Sequence, residues 1–411
     1  MSGRRVVARC VQLLPPVCRA GGVWSKPRGT VFAFAYSGEE EAFRTELRAW
    51  LAAHLPSEPV PVADEERHRF LRAWQRSLAA GRWVGIHWPR EYGGRGATLK
   101  EQVIYTEEMA RVRAPAILDP IAVNIVAPLL IHYGSAAQRE RFLPPILPAE
   151  EVWCLGFSEP GAGSDLAALR CRAERDGEEW VVSGQKVWSS KAHVADWCLL
   201  LVRTDGGAAK HKGISCLAVD MRSPGITWRP LVQLSGRSEF NELFLDQVRV
   251  PVANTIGPIN GGWPLVRAAL AHERGTLWAF EFKIRLQNAA LALVDLYRGS
   301  AARRDLAALR QDVAQAYIEA EVFAAHTLRI LPRLHDAADA PPEAALQKLF
   351  GSEIQQRTCE LAMALLGARG ALDGGGWQEA YLYSRSVTIS SGTSEILRTL
   401  LAERALGLPR G

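Results

Sequence analysis

The sequence predicts an α+β protein in three parts: an all-helical domain over residues 36–150, an antiparallel β barrel or sandwich over 151–255 and a four-helix bundle over 256–411. Three observations lead there. Apolar residues recur at helical spacing as far as about Pro148; short runs rich in Val, Leu, Trp and Phe, cut by turn residues, fill the middle; helical periodicity returns after Gly261-Gly262.

In the first part Phe43, Leu47, Leu51 and Leu55 advance by fours, and further apolar periods lie in 66–80, 100–112 and 117–133, with Tyr92-Gly-Gly-Arg-Gly96 as an intervening loop. In the second, Trp180–Val182, Trp197–Val202, Ile214–Val219, Ile226–Leu231 and Leu243–Val250 read as strands. Asp176-Gly177, Ser183-Gly184 and Pro224-Gly225 divide them as turns. In the third, Leu306, Leu309, Val313, Ala316, Ala320 and Phe323 step by threes and fours along one helix face, and a second long pattern covers 343–366.

A chain of 411 residues with 48% hydrophobic content can bury a large core. Its net charge of +5 is the balance of 49 basic and 44 acidic residues spread along the chain, so no nucleic-acid footprint is indicated. Seven dispersed cysteines without CxxC or zinc-like His/Cys spacing point to a reducing compartment and no metal. No run of about 18 apolar residues is present, which excludes a spanning helix. Residues 1–35 stand apart, with six basic residues and no acidic one. They read as an upstream extension or mis-chosen start in an Ala/Arg-rich, bacterial-style chain, which places the protein in the cytoplasm. A transit peptide, which would place it in the mitochondrial matrix, is the alternative.

Trp153–Asp165 (WCLGFSEPGAGSD) opens the β region. Its Pro160-Gly-Ala-Gly163 turn lets backbone approach a flat ligand closely, and Ser158 and Ser164 offer hydroxyl donors. Alone, such a turn is most often only a turn. Three further motifs accompany it in order: Gly85–Gly94 (GIHWPREYGG), Gly184–Ser190 (GQKVWSS), and Ser391–Arg398 (SGTSEILR) followed by Ala402–Pro409 (AERALGLP).

Together these motifs resemble the acyl-CoA dehydrogenase family, and the resemblance covers about residue 37 to 411. It implies FAD lying between the β domain and the C-terminal bundle, in a tetramer that is a homo- or hetero-oligomeric dimer of dimers. By position it implies that Leu155, Phe157 and Ser158 neighbour the flavin ring, with the Phe157–Ser158 backbone and the Ser158 hydroxyl near its reactive nitrogen. Trp188 and Ser190 would cover the other side of the ring, where a large aromatic face stacks and sheds water. Ser391, Gly392, Thr393 and Glu395 match the loop near the FAD, and Ser164 matches a contact to CoA. The implied partners are an acyl-CoA substrate and an electron-transfer flavoprotein as electron acceptor; the implied setting is lipid metabolism, namely fatty acid β-oxidation or steroid catabolism.

The implied reaction needs a desolvated carboxylate to take the α-proton of the thioester while the β-hydrogen leaves as hydride to flavin N5. Many family members carry that glutamate immediately before the Gly-Thr of the C-terminal motif. Ser391 stands there and cannot serve. A second branch places the base on a helix after the β domain in a Leu-x-x-Glu-Arg pattern, which Leu270-Ala-His-Glu-Arg274 matches. Glu273 is therefore the expected base and Arg274 a contact to CoA or the pocket. The Ser391 backbone N–H would still polarise the thioester carbonyl, and the small Ser390-Ser391-Gly392 wall suits a branched, cyclic or otherwise bulky acyl group, such as an isoprenoid or steroid side chain.

The chain departs from the family where the adenine half of FAD is held. The Arg-x-x-Phe-Gly element is missing from Leu296–Arg304, and the Gly-Gly turn becomes Leu366-Gly-Ala-Arg-Gly370. These changes resemble the bacterial steroid-catabolic branch, some of whose members pair two different chains. Two other readings stay open: a mainly structural subunit of such a heteromer, and a flavin monooxygenase or nitroalkane-oxidase-like enzyme on the same fold.

Overall fold

The computed structural model describes residues 36–273, 276–299, 304–336, 342–372 and 376–409, with the side chains of 270–278, 304–306 and 331–336 outside that description. The expected extension, residues 1–35, lies outside it too, as do Arg274 and the Glu273 side chain.

The N-terminal helices are α1 (Gly38–His54), α2 (Asp64–Ala80), α3 (Leu99–Arg111), α4 (Ala127–Tyr133) and α5 (Ala136–Ile146). Reciprocal caps start three of them: Ser37 with Glu40, Thr98 with Glu101 and Ser135 with Gln138 each satisfy two otherwise unpaired N–H groups. In α1 the buried stripe is Phe43, Leu47 and Leu51, as the spacing predicts. A wide π-turn (Ala122–Val126) precedes α4 and breaks the apolar period read over 117–133.

Glu108 knots α1 to α3. Its side chain is only 2% exposed and accepts hydrogen bonds from Arg44, Arg48 and Arg111. Burial alone would raise its pKa, but the hydrogen bonds from the three arginines prevail and hold it at about 2. A carboxyl depressed in the folded state stabilises the fold above its unfolded value and loses that contribution as pH falls through the folded one. Glu108→Gln is therefore expected to cost about 2–3 kcal/mol at pH 7. That is less than a fully buried pair, because Arg48 and Arg111 are half exposed and screened. The deficit is expected to shrink between pH 4.5 and 2, read from urea midpoints.

Eight strands form one sheet: β1 (Trp153–Gly156), β2 (Arg172–Asp176), β3 (Glu179–Ser190), β4 (Trp197–Arg203), β5 (Ile214–Asp220), β6 (Ile226–Leu231), β7 (Phe240–Pro251) and β8 (Thr255–Ile256). Their order is β6-β7-β3-β2-β4-β5-β8, with β1 pairing β4 off this path. Most pairings are antiparallel, as the texture of the sequence suggests; β1–β4 and the single β2–β4 pairing are parallel. Strand β4 is apolar from Trp197 to Val202, as a strand covered on both faces must be. Leu199 and Leu201 join the core shared with the N-terminal helices, whereas Leu200 and Val202 join the core inside the sheet domain.

The C-terminal part comprises α6 (Gly262–Glu273), α7 (Thr276–Gly299), α8 (Arg310–Asp336), α9 (Pro342–Leu366), α10 (Ala368–Leu372), α11 (Trp377–Val387) and α12 (Ser394–Leu400). Helices α7, α8, α9 and α11 make the bundle. It packs tightly where Phe282 meets Phe323 edge-on at 5.7 Å, and a Cβ on Gly351 would come within 2.3 Å of the Phe282 ring. The expected start of α8 near Leu306 is a 3-10 turn (Arg304–Leu309) instead. None of the described helices is long and apolar enough to cross a membrane.

Candidate active site

Alternation along β1 sends Trp153, Leu155 and Phe157 toward the helical core, while Cys154 joins the core inside the sheet domain. Leu155 and Phe157 are only partly buried there. Just past the strand, Ser158 accepts from Val187 N–H at 2.9 Å, which joins the first flavin motif directly to the second. Glu159 and Ala162 close the Pro160–Gly163 turn by mutual backbone hydrogen bonds of 3.1 and 3.0 Å. Ser164 is exposed beyond it.

Strand β3 carries a bulge. Its pairing with β7 slips between Lys186 and Ser189, and Trp188 takes a left-handed φ of +62°. A bulge re-aims the side chain it carries. Whereas Trp83, Trp88 and Trp153 are fully buried, Trp188 is 60% exposed, with one edge against Phe240 at 6.1 Å between centroids. Ser190, half buried, ends the strand.

Two buried groups that sequence reading missed anchor this region to the N-terminal helices. Asp119 accepts from Ala122 N–H at 2.9 Å and from Trp153 N–H at 2.7 Å, so it grips the first residue of β1. Burial pushes its pKa up to about 6 despite those donors. Next to Ser190, Lys191 donates to the Leu118 carbonyl at 2.5 Å, and burial lowers its pKa.

In the C-terminal motif Ser391 and Gly392 are consecutive left-handed residues, with φ of +54° and +100°. They stand in the connection between α11 and α12. The Thr393 hydroxyl caps α12 by accepting from Ile396 N–H at 3.2 Å, and Glu395 stands exposed in the first turn. Backbone and Thr393 hydrogen bonds hold the Glu395 carboxyl below its ordinary range. Lys348, buried on α9, donates to the Gly392 carbonyl at 2.6 Å. An ion pair of 2.5 Å between Arg237 and Glu379 ties the β6–β7 connection to α11. The backbone of Glu273 is the last residue of α6.

All three parts of the chain match one family in sequence: "Acyl-CoA dehydrogenase, N-terminal domain" over residues 37–150, "middle domain" over 154–248 and "C-terminal domain" over 260–406. This chain belongs to the acyl-CoA dehydrogenase family. Acyl-CoA dehydrogenase IpdE1 of Mycobacterium tuberculosis is 38% identical over 381 residues, covering 90% of this chain and 98% of that protein. Among solved structures, the Tcur3481-Tcur3483 steroid acyl-CoA dehydrogenase matches with a TM-score of 0.78 at 31% identity, over 92% of this chain and 99% of that one. The ChsE4-ChsE5 complex of Mycobacterium tuberculosis gives 0.75 at 31% identity, over 92% and 100%.

Acyl-CoA dehydrogenases typically bind FAD, and the residues present fit it. Trp188 is largely exposed, and its neighbour Val187 donates to the Ser158 carbonyl. The Ser158 N–H finds no acceptor among the described residues. An exposed aromatic ring and a backbone donor, carried on two segments bonded to each other, suit a planar, polar-edged ring.

Proposed function

We propose that this acyl-CoA dehydrogenase binds FAD between the sheet and the C-terminal bundle and converts an acyl-CoA thioester to the 2-enoyl-CoA. The observation that carries the reading is the bulge that turns Trp188 outward in the strand bonded to Ser158, whose N–H finds no acceptor among the described residues. Bound there, FAD supplies the two-electron acceptor for the β-hydrogen. Trp188 and Ser190 cover the ring and exclude water, with Leu155, Phe157 and Ser158 at its edge. Glu273 takes the α-proton, and the Ser391 N–H polarises the thioester carbonyl. Gly392, Thr393 and Glu395 complete the loop near the cofactor; Ser164 and Arg274 hold CoA. Bound FAD would pass its electrons to an electron-transfer flavoprotein, in a bacterial cytoplasm.

The acyl group we assign is bulky, branched or cyclic, of the isoprenoid or steroid side-chain class. The small residues of the Ser390-Ser391-Gly392 turn support this, as does the likeness to a steroid acyl-CoA dehydrogenase. Assembly with a second, different chain is supported by the missing Arg-x-x-Phe-Gly element, together with the likeness to the ChsE4-ChsE5 complex. The test is to purify the chain alone and with a candidate partner, record the flavin spectrum, and follow anaerobic bleaching by a panel of acyl-CoAs. Branched or cyclic acyl-CoAs are expected to bleach it at least about tenfold faster than butyryl- or octanoyl-CoA, a difference of ~1.4 kcal/mol in the barrier. A preference for the straight chains would overturn the acyl assignment.

A further inference from the structure

Beneath the Phe157–Ser158 peptide lies an ion pair that the function just proposed leaves unused. Lys186 is fully buried; its ammonium donates to Glu159 Oε1 at 2.8 Å and to the Phe157 carbonyl at 3.2 Å. The Glu159 carboxylate, 9% exposed, also accepts from the backbone N–H groups of Arg170 at 2.7 Å and Cys171 at 2.8 Å. Lys186 is thereby locked in place from the sheet side, with one donor aimed at a single carbonyl.

That carbonyl and the Ser158 N–H belong to one planar amide. No cis peptide occurs among the described residues, so the N–H points away from the carbonyl, on the side opposite the buried ammonium. The Val187 N–H to Ser158 carbonyl bond of 2.9 Å fixes the next peptide as well. A cation on an amide oxygen draws charge across the amide and strengthens its N–H as a donor, and it does so most in a low-dielectric interior.

We propose that Lys186 is a positioning residue for the flavin: it sets and polarises the Phe157–Ser158 peptide so that the Ser158 N–H meets the ring as a fixed, strengthened donor. The inference rests on the reading that FAD binds against Ser158. A stronger donor at the ring edge favours the reduced, more electron-rich ring over the oxidised one, so Lys186 raises the midpoint potential.

Removing Lys186 alone would strand the Glu159 carboxylate, so the informative variant removes both charges: Lys186→Met with Glu159→Gln. Leu200→Ala is the control. Leu200 is a buried neighbour in the same core and lies against Gly156, but has no polar contact with the amide. Circular dichroism is expected to show both proteins folded, and both are expected to retain FAD. In the double variant the reduced-to-oxidised ratio at a fixed potential is expected to fall about tenfold, ~30 mV for a two-electron couple. Its flavin absorption band shifts as well, while Leu200→Ala keeps the wild-type potential. A double variant that binds FAD at the wild-type potential overturns the role of Lys186 and leaves the proposed function standing; so does a control that moves as far. Wild-type protein that takes up no FAD, either alone or with its partner chain, overturns both.

Discussion

Glu273→Gln is expected to retain FAD and its absorption spectrum while slowing anaerobic flavin bleaching by acyl-CoA about 10²–10⁴-fold, the usual contribution of a positioned general base. Glutamine keeps the shape of the side chain and its hydrogen-bonding capacity but cannot accept a proton from carbon at neutral pH. The other position from which this family supplies a base is occupied by Ser391, so no carboxylate is available there to compensate. Ser391 is proposed to act through its backbone N–H, which alanine keeps, so Ser391→Ala is not expected to reproduce the loss. Single-turnover stopped flow separates the outcomes. Bleaching at the wild-type rate would remove Glu273 from the chemistry, whereas loss of FAD together with bleaching would make it structural.

How far the sequence could be read depends on what each residue's environment adds to its own preferences. The helices α1 and α9 follow from apolar periodicity and the strands β4 and β5 from continuous apolar runs, because their neighbours reinforce the local pattern. Strand β2 was not legible: its sequence, Arg172–Asp176, is charged, and only Ala173 is buried. Strand β1 hides inside a segment whose glycines and proline suggest a turn, and its parallel pairing with β4 depends on chain reversals far away in sequence. The motifs located Trp188 and Ser158, but not why the first is exposed; that follows from the β3–β7 register slip, a property of two strands together. Lys186, Lys191, Lys348 and Asp119 were missed for a common reason. A lysine or aspartate is ordinarily solvated, and nothing local marks one that is buried against a distant carbonyl or amide. Lys186 did carry a signal, since it sits inside the Gly184–Ser190 motif two residues before the tryptophan.

Asp119→Asn is expected to destabilise the protein and, less intuitively, to do so more in mild acid than at neutrality. The carboxylate grips Ala122 N–H and Trp153 N–H from within the core. An amide can accept from one of them, but must turn its own NH₂ toward the other, and each buried group left unpaired costs about 1–3 kcal/mol. The pH dependence follows from burial, which raises the pKa from 3.8 to about 6 in the folded protein. Between those values the folded state holds a proton that the unfolded chain has released, so wild-type stability from this group falls as pH rises through the window and is greatest below it. The shift corresponds to roughly 3 kcal/mol. Asparagine has no such titration, so the deficit of the variant is expected to widen as pH is lowered from 7 to about 4.5. Urea midpoints of both proteins at the two pH values, with FAD saturating, test this; equal deficits would mean that Asp119 stays ionised throughout. Because Asp119 holds the first residue of the strand that runs into Phe157 and Ser158, the same substitution is expected to weaken FAD retention. Its effect on cofactor binding is therefore expected to follow its effect on stability, whereas Glu273→Gln leaves both intact and removes only the proton transfer.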